Sequence, residues 1–120
     1  MALFYDLPVY KATYDVLVEL FQMVQKMPRE HKFVLGEKMK DECMDIFLDI
    51  YQANTQADKR EYLREAQLHL LKLRVMLRIC NDLRLLPLER FVRLNEKIES
   101  ISRQLAGWSK SEGAQHKPES

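Results

Sequence analysis

Glycine and proline are scarce in this chain, at three and four copies in 120 residues. That leaves too little punctuation for the many turns of an all-β domain, and Leu, Met, Glu, Lys and Arg dominate instead. Cysteine is nearly absent too. Cys43 and Cys80 sit in apolar stretches with no second pair nearby, which excludes a disulfide framework and a cysteine-based zinc site and points to buried thiols in a reducing compartment. No stretch approaches the ~20 apolar residues of a bilayer span, and MALFYDLPVYK lacks a basic leader followed by an apolar run. The expectation is a cytoplasmic protein with no membrane partner. Charge of one sign is also missing: 19 basic against 18 acidic residues leave a formal net charge of +1. A globally basic nucleic-acid binder is excluded, so the location of the charges matters more than their sum.

What is present is helical periodicity. One domain is the default at this length. Pro8 opens a first helix over residues 8 to 27, with Val9, Leu17, Leu20, Phe21, Val24 and Met27 recurring on one side until Pro28 stops the run. A second begins at Pro28 and carries Leu35, Met39, Cys43, Ile46, Phe47 and Ile50 to the end near Ala53-Asn54-Thr55. Gly36 interrupts that stripe; either the first turn is irregular or a neighbour packs closely against it. Asp58 with Glu61 reads as a capping box for a third helix that runs to Leu86 and is ended by Pro87. From Leu88 a fourth carries Phe91, Leu94, Ile98, Ile101 and Leu105, with Gly107 as its C-terminal cap and Trp108 folding back on the bundle end. Residues 109–120 have almost no apolar group to offset the entropy of ordering and are expected to be a disordered tail after a domain at 1–108. Short connections favour an all-α, antiparallel up-down-up-down four-helix bundle.

The third helix is apolar on too many sides. Leu63, Ala66, Leu70, Leu73, Leu77 and Cys80 fall on one arc, which suffices for a core. Leu68, Leu71, Val75, Met76, Ile79, Leu83 and Leu86 fall on a second, roughly opposite. Either the other three helices enclose it, or the second arc is an interface for self-association or a permanent partner. Between the arcs runs an acid-free polar strip, Arg60, Gln67, Arg74, Arg78 and Asn81. Arginines so placed can grip phosphate or carboxylate bidentately, or form a solvated face or intersubunit salt bridges.

Residues for catalysis are not found. Of His31, His69 and His116, none follows a Glu by three positions as di-iron bundles require, and Asp41, Asp45 and Asp49 at four-residue steps read as a solvated acidic face. A Gly-rich phosphate loop, a serine nucleophile elbow and a Cys with a recognisable His partner are all missing. The reading is therefore not an enzyme, with no cofactor, no metal and no small-molecule substrate. Tyr10, Tyr14 and Tyr51 could stack on bases, although aromatics at helical spacing commonly belong to a core or interface.

Taken together, LPVYKATYD at 7–15, Pro28 with LGEKMK at 35–40, Ala53-Asn54, LRVMLRICNDLRLL at 73–86 and LAGW at 105–108 resemble the accessory variability determinant (Avd) proteins of diversity-generating retroelements. These stand within a wider four-helix-bundle group that includes the intervening-sequence proteins of large ribosomal RNA. The resemblance covers residues 1 to 110. It implies a homo-oligomer, a pentameric barrel of bundles, whose partners are a reverse transcriptase and its template RNA, with DNA or an RNA/DNA hybrid as further nucleic-acid partners. By position it implies a basic site at Arg74 and Arg78. Arg60 in the same strip and Arg84, Arg90 and Arg93 around the turn into the fourth helix are further candidates, and the second arc makes Leu68, Leu71, Val75 and Ile79 the expected oligomer interface. Family members can be strongly basic where this chain is nearly neutral, which implies weaker salt-sensitive attraction to phosphate here. The alternative is a structural homo-oligomer of the intervening-sequence type whose partner the residues do not name.

Overall fold

A computed structural model describes residues 4–115, and no strand occurs among them. After a 3-10 turn at Phe4–Asp6 come helices α1 (Pro8–Gln25), α2 (Arg29–His31), α3 (Glu37–Thr55), α4 (Arg60–Asp82) and α5 (Leu88–Gln115), with one π turn at Lys32–Gly36. The all-helical expectation is met. The third helix of the sequence reading is α4, and the fourth is α5. Helix α3 packs on α4, α4 on α5, and α1 on both α3 and α5, in a body 56 × 24 × 21 Å.

Pro8 opens α1, where its missing amide would have been unbonded anyway. The buried register of α1 and the residues after it is Val9, Thr13, Val16, Leu20, Met23, Val24 and Met27. Thr13, buried among them, donates its hydroxyl to the Val9 carbonyl at 2.7 Å and so needs no partner from another helix. Phe21, expected in this stripe, points outward instead, with Lys40 Nζ 4.5 Å from its ring centre. At 100° per residue Phe21 falls 60° beyond Val24, the last buried position on that side of the register.

The expected second helix is continuous from Arg29 to Thr55, with a π turn at Lys32–Gly36 near its start. Gly36 ends the π turn and is buried; a Cβ there would lie 2.7 Å from Cγ1 of Val24, so α1 packs hard against it. Its φ of −61° is ordinary helix. Space, not backbone freedom, requires the glycine, and an irregular turn accompanies the close packing. At the far end of α3, Lys59 Nζ donates to the Ala53 carbonyl at 2.7 Å and to that of Gln56 at 2.8 Å, a cation at a helix C-terminus. Lys59, not Asp58, holds the position before α4, while Asp58 Oδ1 accepts the Arg60 amide at 3.3 Å.

All six residues of the first arc of α4 are buried. The helix ends at Asp82, not Leu86: Arg84 turns left-handed with φ 57°, and the Leu85 amide reaches back to the Cys80 carbonyl at 2.8 Å. Leu86 thereby leaves the second arc and becomes core. Gln67 and Ser102 pin α4 to α5 reciprocally, Gln67 Nε2 donating to the Ser102 carbonyl at 3.0 Å and the Ser102 hydroxyl to Gln67 Oε1 at 3.1 Å. Burial pushes the Cys43 and Cys80 thiols up to about 12 and about 11, which makes both poor nucleophiles.

Helix α5 does not stop at Gly107. It continues to Gln115, because Leu94, Ile98, Ile101, Leu105, Trp108 and Glu112 keep one inward register at steps of three and four. Trp108 lies over Leu7, Pro8 and Val9 at the start of α1. Residues 109–115 of the expected tail are thus helical, and 116–120 fall outside the described residues.

Candidate macromolecular interface on α4

The period of α4 that buries Leu63, Ala66, Leu70, Leu73, Leu77 and Cys80 turns Leu68, Leu71, Val75, Ile79 and Leu83 outward, each between 42% and 56% exposed. Met76 is half-buried. The other helices do not enclose this side of α4; five large apolar side chains form a continuous outward strip over four turns. On the α3 side it is edged by Lys38 and Lys72, on the α5 side by Arg74 and Arg78.

Arg74 and Arg78 share a shallow groove with Val75, Phe91 and Asn95. Arg74 is already engaged: its Nη2 donates to Glu99 Oε1 on α5 at 2.9 Å. Arg78 is largely exposed, and its ion pair among the described residues is with Asp82, 3.9 Å away on the next turn. Arg60 lies four turns nearer the start of α4, beside Asp58 at 3.3 Å. Arg84 occupies the left-handed turn after the helix. Arg90 is half-buried, with Nη1 enclosed and unbonded. Arg93 faces α1, where it donates to the largely buried Glu19 from Nε at 2.6 Å, with Lys97 Nζ 3.5 Å from the other oxygen. Of the six arginines, the fold therefore brings Arg74 and Arg78 to one groove and distributes the others.

A second apolar surface escaped the sequence reading. Between α1 and α3, Tyr10, Tyr14, Leu17, Met44, Phe47, Leu48 and Tyr51 line an open groove of about 490 Å³, closed at one end by Phe4. Phe4 stands edge-on to Tyr10 at 4.7 Å and to Tyr51 at 5.4 Å, and Tyr10 stands edge-on to Phe47 at 5.4 Å. Of the tyrosines weighed for base stacking, Tyr10 stacks on Tyr14 at 6.1 Å and Tyr51 packs on Phe4, while Tyr14 and Tyr51 stay half-exposed. Val18 and Phe21 extend the surface along α1. The available signal was Met44, Leu48 and Tyr51 at steps of four and three, beside the core stripe.

The acidic face of α3 also differs from expectation. Asp41 is exposed, but Asp49 is 7% exposed and turned toward α4. There His69 Nδ1 lies 2.5 Å from Glu42 and 3.8 Å from Asp45, and its Nε2 lies 3.8 Å from Asp49 Oδ2. Burial lifts Asp49 to about 7, an effect reduced by His69 and reinforced by Glu65 and Asp45. Glu42, Asp45 and His69 together could hold a metal ion.

Among the described residues no helix is long and apolar enough to cross a membrane. The family model described as bAvd-like matches residues 8–112. No curated protein matches the chain.

Proposed function

The chain belongs to the bAvd-like family, and from that membership we propose that it is a non-catalytic accessory protein of a diversity-generating retroelement. In this reading the helices form an antiparallel up-down-up-down bundle, five copies close into a ring, and the assembly holds a reverse transcriptase on its template RNA during mutagenic copying. The observation that carries the reading is the outward strip of α4: Leu68, Leu71, Val75, Ile79 and Leu83 left to solvent, with Arg78 along its edge. An apolar strip of that extent suits a protein interface, and an exposed guanidinium beside it suits phosphate or carboxylate on a second partner.

The two arginines have unequal roles here. Arg74 must surrender Glu99 before it can meet a partner, whereas Arg78 has a long, solvated contact to give up. Copurification of the tagged chain with its neighbouring reverse transcriptase, followed by RNA binding by the complex, tests the reading. Arg78→Ala should weaken RNA retention about tenfold, the effect of losing one charge-assisted contact, and should flatten the dependence on salt by about one phosphate contact. Arg74→Ala should cost less. Failure of the wild-type chain to copurify with the enzyme sinks the proposal.

The Arg74–Glu99 ion pair favours a second reading, a structural homo-oligomer of the intervening-sequence type, because it accounts for Arg74 inside the chain. Full enzyme and RNA binding by an Arg74→Ala/Arg78→Ala double variant would favour it.

A further inference from the structure

We propose that Glu42 and Asp45 of α3 and His69 of α4 form a binding site for a divalent transition-metal ion of the zinc class, which ties the two helices together. The positions follow from helix geometry. Glu42, Asp45 and Asp49 stand at i, i+3 and i+7 and so share one side of α3, while Glu65 and His69, at i and i+4, share the side of α4 that faces it. One imidazole of α4 therefore faces three carboxylates of α3. The ligand atoms of Glu42, Asp45 and His69 all lie within 4.8 Å of one another. Around a tetrahedral ion with bonds near 2.0–2.2 Å, ligand atoms stand roughly 3.3 Å apart. Asp45 must then close on His69 Nδ1 from 3.8 Å and Glu42 must open from 2.5 Å. Both are shifts of less than about 1 Å by jointed, partly exposed side chains.

A second, independent feature points to a cation. Asp49 is 7% exposed, and its Oδ2 has no hydrogen-bond partner. That oxygen is aimed at the far edge of the same imidazole, 3.8 Å from Nε2. An ion on Nδ1 fixes the tautomer with the proton on Nε2, on the side of the ring where the unbonded Asp49 Oδ2 lies. A carboxylate behind a ligating histidine in this way orients the ring and makes it a better donor. The positive charge near the cluster comes from Lys72, 3.9 Å from Glu42 Oε1, from Lys38 in the same groove, and from the imidazole when protonated. One nitrogen and two carboxylate oxygens suit zinc and its neighbours, not magnesium or calcium, which ask for six or more oxygens. Asp45 is half-exposed and opens the site to solvent, which leaves a coordination position for water.

The test uses the full chain, stripped of metal with a chelator and titrated with Zn²⁺ against a chromogenic competitor. The wild type should take up one Zn²⁺ per chain and melt at a higher temperature when saturated, with no such rise in Mg²⁺. His69→Gln and Glu42→Gln should each lose at least about tenfold in affinity, and Asp49→Asn about tenfold. Glu96→Gln, an exposed acid on α5, should bind as the wild type does. Circular dichroism checks that each variant keeps its helix content. Absence of stoichiometric uptake, or undiminished affinity in a folded His69→Gln variant, overturns the proposal.

Discussion

Arg84 carries the only left-handed backbone among the described non-glycine residues, at φ 57°. It sits where a helix ending in a Schellman motif most often has glycine, with its amide on the Asn81 carbonyl at 3.0 Å and the next amide on Cys80. A side chain there costs about 1 kcal/mol or more. Arg84→Gly should therefore stabilise the fold by roughly 0.5–1 kcal/mol, seen as a rise of a few degrees in melting temperature. If partner binding falls in the same variant, the strained arginine is being kept for its charge. Asp49 is the second informative residue. Its carboxyl is raised to about 7 in the fold from an ordinary value near 3.8. The folded state thus binds a proton that the unfolded chain has lost, and stability present below pH 4 is lost as pH rises toward 7. In chelator-treated protein, wild-type stability should fall between pH 4 and 7 and level off above, while Asp49→Asn should be flatter and about 1–2 kcal/mol more stable than wild type at pH 8. Urea midpoints across that range measure it, and parallel curves would show that Asp49 stays ionised throughout.

Gly36, at the end of the π turn that leads into α3, and Gly107, within α5, make opposite demands. At Gly36 an added methyl meets Val24 Cγ1 at 2.7 Å, and Val24 is itself buried and short, so it cannot swing away. Gly36→Ala should cost about 1–3 kcal/mol, the usual penalty of overpacking. At Gly107 nothing lies within 4 Å of the added carbon, so Gly107→Ala should stabilise α5 by about 0.5–1 kcal/mol. Thermal melts of the two variants should move in opposite directions. The same elements mark what could be read from sequence. The core stripe of α4 was legible in full because leucine at steps of three and four leaves one solution. Gly107 misled, since a glycine after an apolar run signals a cap, while the register continued through Trp108 and Glu112 beyond it. The aspartates of α3 misled for a geometric reason. A step of four residues overshoots a full turn by 40°, so from Asp41 to Asp49 the stripe rotates 80° from solvent toward α4. Which helix would stand there is a tertiary fact that no single stretch of sequence contains, and the His69 cluster was invisible for the same reason.

The molecule presents two dissimilar apolar surfaces, the outward strip of α4 and the aromatic groove between α1 and α3, on helices that both pack on α3 and α5. An isologous dimer would need one self-complementary patch, whereas two unlike patches suit head-to-tail contact, which repeats until it closes into a ring. If the strip of one copy lies in the groove of the next, each interface contains one of each. Val75→Glu spoils the strip and leaves the groove; Leu48→Glu does the reverse. Either alone should abolish assembly, because an unpaired carboxylate buried at an interface costs several kcal/mol. Light scattering should then find each variant as a monomer of 14.3 kDa, with helix content retained since both positions are exposed. Mixed together, the intact strip of Leu48→Glu can still enter the intact groove of Val75→Glu, and growth must stop there because the remaining surfaces are both spoiled. The mixture should therefore form a one-to-one dimer and nothing larger. Assembly retained by Leu48→Glu alone would show that the groove takes no part, and a mixture that stays monomeric would rule out strip-in-groove docking.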